Sequence, residues 1–167
     1  MIRRALTILE PSASAIGAGV KPWENRDHLP PSTIKVGDWI ALHAGVAPWK
    51  RAALVRNLWP DCPPDADLPF GLVIGAWRYG GAYRKVGARL VQATPLLVPG
   101  PPELEADPWA LGQFCLAVAD VVKLEAPIPC PVAPKGKPGA THQGWWFLPD
   151  VQALILNMAI ERHQGNP

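Results

Sequence analysis

The sequence predicts an α+β fold, a barrel of short β-strands with flanking helices, in one domain of 167 residues. Three observations carry that expectation. The 21 prolines and 15 glycines call for many turns rather than long helices, because proline removes an amide donor and glycine admits positive φ. A hydrophobic fraction of 49% against 18% charged residues supplies a packed core and excludes an intrinsically disordered chain. At this length a core forms without disulfides or a structural metal.

Along the chain, residues 5–9 read as a strand and 12–16 as a short helix, started by Pro11 and ended by Gly17 and Gly19. Pro22 biases Lys21 toward extended backbone, so 21–26 is extended. Strict alternation would set Glu24 and Arg26 on one face and Lys21 and Trp23 on the other. A site shared by the three charges therefore requires a bulge or turn near Pro22. Residues 30–33 form a loop. Residues 38–44 form a strand with Trp39, Ala41 and His43 on one face and Ile40, Leu42 and Ala44 on the other.

Residues 48–58 read as a helix packing Trp49, Ala52, Ala53, Val55 and Leu58, with Lys50, Arg51 and Arg56 toward solvent. An acidic, proline-rich loop follows over 61–69. Strands are expected at 72–77, 88–98 and 114–124, with the 99–102 Pro-Gly-Pro-Pro run as a breaker. Residues 127–141 are too proline-rich to be regular. Residues 145–148 form a last strand, and a terminal helix from 150 to about 163 buries Val151, Leu154, Ile155, Met158 and Ala159. There is no internal repeat.

The net charge of +2 does not by itself announce a nucleic-acid binder, since phosphate affinity depends on where cations cluster. Cys62, Cys115 and Cys130 form no Cys-x-x-Cys pair, which suggests neither a disulfide framework nor a thiolate zinc site and points to a reducing cytoplasm. Glu10 and Pro11 interrupt the apolar stretch after Arg3 and Arg4 too early for a secretory signal. No run approaches the roughly 18 apolar residues of a spanning helix, so no membrane association is expected.

The most informative stretch is Gly19-Val20-Lys21-Pro22-Trp23-Glu24-Asn25-Arg26. Gly19, Lys21, Glu24 and Arg26 fall on a Gly-x-Lys-x-x-Glu-x-Arg spacing, followed by Gly37-Asp38 and His43-Ala44, Gly71 to Gly75, Pro127-Ile128-Pro129 and Gly144-Trp145-Trp146. In that order the chain resembles the ASCH domain family. The resemblance implies a PUA-like mixed β-barrel with flanking helices over 1–167, with divergent insertions or loops near 47–69 and 76–110. It also implies a cleft between the first helix and the barrel, lined by Lys21, Glu24, Arg26 and His43.

Two explanations fit the three charges. One is a surface salt bridge, worth about 0–1 kcal/mol and needing no function. The other is recognition, in which Lys21 and Arg26 grip a phosphate or base carbonyl and Glu24 accepts from an exocyclic amine. Some small ASCH proteins resemble amidohydrolases that remove an acyl group from a modified cytidine, with a Thr three positions after the Lys. Here Glu24 stands in that place, so Lys21 and Glu24 would be proton-transfer groups acting through water rather than through an acyl-enzyme. Other ASCH proteins resemble metal-stimulated ribonucleases.

Beyond the motif, Arg78, Arg84, Lys85 and Arg89 are interleaved with Tyr79 and Tyr83 and no acid. That combination suits single-stranded nucleic acid, with arginines on phosphates and tyrosines on bases, and equally a solvated hairpin tip. Lys135 and Lys137 can extend the basic surface. Most of the eight tryptophans belong in the core, among them Trp39, Trp77 and Trp145 or Trp146; Trp23 and Trp146 are the candidates to wall the cleft and stack a base. His43 reads as a structural histidine or a general base, His28 as a loop residue beside the motif. His142 and His163 have no carboxylate or thiol at ligand spacing, so no metal or other cofactor is expected. The expected partner is RNA or a single-stranded nucleic acid, or a modified nucleoside.

Overall fold

The computed structural model describes residues 2–87, 89–97, 107–130 and 144–165. Its elements are β1 (Arg4–Glu10), α1 (Ser12–Gly17), β2 (Trp23–Arg26), β3 (Trp39–Pro48), α2 (Ala52–Leu58), β4 (Leu72–Val86), β5 (Arg89–Gln92), β6 (Phe114–Pro129), β7 (Trp145–Phe147) and α3 (Asp150–Gly165). The strands join in the order β2-β6-β4-β3-β1-β7, with β5 added to β4. β1 and β3 run parallel and the other pairs antiparallel. The result is the α+β arrangement expected, a mixed sheet curled into a half-barrel and flanked by three helices.

The curl is concentrated in β4 and β6, whose register shifts at Val73/Gly75, Arg78/Tyr79 and Tyr79/Ala82. Such bulges bend a strand and sharpen its twist. Glycine is required at two of them. A side chain at Gly75 would collide with the Val122 carbonyl, and Gly81, at φ 109°, would drive one into the Pro95 carbonyl.

Both sheet faces are covered. Inside the curl, Leu6, Ile8, Ile40, Leu42, Trp77, Leu116 and Trp145 pack with Ala13 and Ile16 of α1. On the outer face Ala5, Ala41, Ala76, Val122 and Trp146 receive Ala153, Leu156 and Ile160 of α3. The split of β3 into Ile40, Leu42 and Ala44 on one side and Ala41 on the other follows the alternation read from the sequence. Each fully buried residue such as Leu42 or Leu156 contributes about 1.5–3 kcal/mol.

Several expectations are corrected. β3 runs on through Pro48, and the Trp49 amide donates to the Glu10 carbonyl at 2.6 Å, so α2 begins at Ala52 rather than 48. Ala53 is exposed, and Arg56, expected in solvent, is bound by Asp65 at 2.6 Å and the Pro63 carbonyl at 2.9 Å. β4 continues through 78–86, and among the described residues of the 88–98 region only Arg89–Gln92 is strand. The segments expected as insertions or divergent loops thus carry α2, the second half of β4, and β5. β6 also extends through Pro127 to Pro129.

The terminal helix docks on a different face. Ala153, Leu156 and Ile160 are buried, Ile155 and Ala159 are half-buried, and Val151, Leu154 and Met158 are exposed. Apolar residues surround this helix, so periodicity alone selects no single face. The run 99–102, Lys135, Lys137 and His142 lie outside the described residues.

Candidate functional site: the Lys21–Glu24–Arg26 cleft

The site begins where α1 stops. The amides of Val20 and Lys21 both donate to the Ala15 carbonyl, at 2.9 and 3.1 Å, and Gly19 sits at φ 72°. This reversal turns the chain back along the helix. The Pro22 carbonyl accepts from the Val118 amide at 3.0 Å, and β2 then pairs antiparallel with β6. Lys21 therefore lies in the turn, before strand alternation applies. This is the break near Pro22 that a shared site demanded.

Freed from alternation, the Lys21 ammonium reaches Glu24 Oε2 at 2.7 Å, while Arg26 Nε lies 3.0 Å from Glu24 Oε1. One carboxylate is flanked by two cations. Arg26 also donates from Nη2 to the Thr7 carbonyl at 3.0 Å. Lys21 and Glu24 are 4% and 5% exposed, so this is a buried ion cluster rather than the surface salt bridge considered above.

The opposite face of β2 has another task. Trp23 donates its indole N–H to Asp107 Oδ2 at 2.6 Å, and Asp107 Oδ1 accepts from the Trp109 amide at 2.8 Å. Asn25 donates to the Trp109 carbonyl at 2.9 Å and accepts from the amides of Leu111 and Gly112 at 2.9 and 2.8 Å. Any side chain on Gly112 would strike Asn25 and the Arg26 amide. Alternate residues of one short strand thus build the charged cluster and pin the segment that faces it.

Together these elements enclose a cavity of about 180 Å³. Lys21, Glu24 and Arg26 form its polar wall; Leu9, Leu54, Leu58 and Leu111 are apolar, and Trp49 and Trp109 also line it. The two tryptophans were missed by the sequence reading, which carried no signal linking segments 49–58 and 107–112 to the motif.

Other expected site residues lie elsewhere. His43 is completely buried outside this lining, its Nδ1 3.1 Å from Thr7 Oγ1 and its ring edge-on to Trp146. Burial pushes its pKa below the ordinary imidazole value, with the Gly71 backbone opposing, so the ring is neutral. Trp146 donates to Thr7 Oγ1 at 3.0 Å and packs in the outer core. Trp23 is 3% exposed and meets Tyr83 edge-on. Neither indole walls the cleft. Trp77 and Trp145 are in the core as expected, and Trp39 is half-buried.

The basic run is also reassigned. Tyr79 is 2% exposed in the inner core, which leaves it no stacking face, and Tyr83 is half-buried with its ring edge-on to Trp23. Arg78 donates from Nε to the Gly37 carbonyl at 3.1 Å. Arg84, Lys85 and Arg89 remain exposed on the β4–β5 hairpin, apart from the cavity lining. His28 is exposed, and His163 finds a carboxylate only in space, with Nε2 3.2 Å from both oxygens of Asp120.

Burial pushes the Cys62, Cys115 and Cys130 thiols up, which disfavours their thiolate forms. Among the described residues no three His, Cys, Asp or Glu side chains cluster to hold a metal ion, and no helix is long and apolar enough to cross a membrane. No protein-family model and no curated protein matches the chain.

Proposed function

We propose that this chain is an ASCH-like domain that binds RNA or another single-stranded nucleic acid, taking one nucleotide into the cleft beside Lys21, Glu24 and Arg26. The observation supporting this reading is the meeting of two cations on one buried carboxylate in a hollow that two tryptophans also line. At about 180 Å³ the hollow is smaller than the roughly 300–1,000 Å³ of drug-sized pockets, a size suited to one base rather than a strand. The Lys21 ammonium, with one of its three N–H groups on Glu24, keeps donors for a base carbonyl, and Glu24 keeps lone pairs for an exocyclic amine. Trp49, half-buried on the lining, takes the stacking role first given to Trp23, Trp146 and the tyrosines, and Arg84, Lys85 and Arg89 attract the backbone over longer range. Three free cysteines support a reducing, cytoplasmic setting.

A mixed pool of short single-stranded RNA and DNA, titrated at about 50 mM salt and then at rising salt, tests the reading, because phosphate contacts make log affinity fall linearly with log salt. Saturable binding weakened by Lys21→Ala supports it. Absence of binding to every oligonucleotide would remove it.

The apolar part of the same cavity, Leu9, Leu54, Leu58 and Leu111, favours a second reading, hydrolysis of an acylated nucleoside with the acyl chain on that wall. Glu24 would activate water and Lys21 would supply the proton. Deacylation of an acylated cytidine, lost in Lys21→Ala and Glu24→Gln, would establish it; an inactive wild-type protein would refute it.

A further inference from the structure

The cavity has a neighbour across Arg26, which lines both. A neighbouring groove of about 460 Å³ shares Asn25, Arg26, Trp49 and Leu111 with it and adds Asp27 and Arg51. The inner space is walled by the ion cluster and leucines, whereas the outer one carries an exposed guanidinium and an exposed carboxylate. Neither the Arg51 nor the Asp27 side chain makes a hydrogen bond or ion pair with another described residue. Arg51 sits at the start of α2, three residues after the end of β3, and its backbone carbonyl is tied to the Leu54 amide at 3.0 Å. The Arg51 guanidinium, without a polar partner among the described residues, is thus carried on the edge of this groove by a backbone held in the first turn of α2.

We propose that this outer groove is a phosphate subsite, in which Arg51 holds the phosphate of a nucleotide whose base occupies the inner cavity. The inference rests on the nucleotide reading above and adds that the ligand is a phosphorylated nucleoside rather than a bare one. A guanidinium presents paired N–H groups that match two phosphate oxygens. The four lining residues that the two spaces share put a base in the inner one next to a phosphate in the outer one, with the ribose along that common wall. Asp27, the acid on the groove, accepts from a ribose hydroxyl and repels further anionic groups, so the groove suits one phosphate.

The test titrates the purified chain with each of the four ribonucleosides, their 5′- and 3′-monophosphates, and trinucleotides centred on the same bases. A monophosphate is expected to bind about twofold to fivefold more tightly than its nucleoside, the range that a pair with an exposed guanidinium supports. Arg51→Gln is expected to abolish this advantage, and Arg51→Lys, which keeps charge but not the paired geometry, to restore part of it. A trinucleotide tighter than the monophosphate identifies a strand as the source of the phosphate; equal affinity identifies a free nucleotide. Nucleoside and monophosphate binding equally well, or an advantage that survives Arg51→Gln, would overturn the subsite while leaving the inner cavity intact. Failure of every nucleoside, nucleotide and trinucleotide to bind would instead defeat the underlying reading.

Discussion

Lys21 and Glu24 meet at 2.7 Å with side chains only 5% and 6% exposed, three residues apart but on different structural units, a turn and a strand. A charge pair this deep is held by geometry, because its members give up hydration that attraction alone returns only with good alignment. The second carboxylate oxygen faces Arg26. Glu24 is therefore the common partner of both cations.

That asymmetry ranks the variants. Glu24→Gln leaves the buried Lys21 ammonium without its counter-ion and takes one partner from Arg26, and is expected to cost about 3–5 kcal/mol, the usual loss when one member of a buried pair is removed. Lys21→Met leaves Glu24 paired with Arg26 and is expected to cost less. Urea denaturation of both variants checks the order, and a Lys21→Met protein as unstable as Glu24→Gln would mean that Arg26 does not share the carboxylate.

Asn25 fastens the 109–112 segment through three hydrogen bonds. Asn25→Ala is expected to lose about 2–3 kcal/mol by leaving backbone groups unsatisfied, and to speed hydrogen exchange at the Leu111 and Gly112 amides. Asn25→Asp keeps the accepting oxygen and should preserve slow exchange there. Unchanged exchange in Asn25→Ala would show that the segment is held by other contacts.

Glu10 gives a pH signature. It is fully buried, and burial raises its pKa above 4.5 although the Ser14 amide and hydroxyl, at 3.0 and 2.8 Å, oppose the shift. A raised folded-state value means that the folded chain holds this proton more tightly than the unfolded chain. The stabilisation is then complete below about pH 4.5 and fades as pH climbs through the raised value. Glu10→Gln should flatten this part of the stability profile, measured by thermal melts from pH 4 upward. An unaltered profile would locate the dependence in other groups.

What the sequence made legible was local. The spacing of Lys21, Glu24 and Arg26 marked the polar wall, Pro22 marked the turn that lets them meet, and alternation in 38–44 separated the two faces of β3. What it hid depended on distant pairing. Trp23 and Asp107 are 84 positions apart, and nothing in either segment announces the other. Tyr79 looked exposed within a basic run because the strand containing it continues far beyond the apolar stretch that revealed it. In α3, apolar residues on all sides left the docked face to be chosen by the sheet beneath.

The most direct test follows tryptophan indole and arginine side-chain resonances by NMR while a short single-stranded RNA is added. The account predicts that the Trp49 and Trp109 indole signals and the Arg26 guanidinium, all on the cavity lining, shift together, while those of Trp77 and Trp145, which lie off it, stay in place. Shifts confined to Arg84, Arg89 and the rest of the β4–β5 hairpin, with the Trp49 and Trp109 signals unmoved, would contradict it.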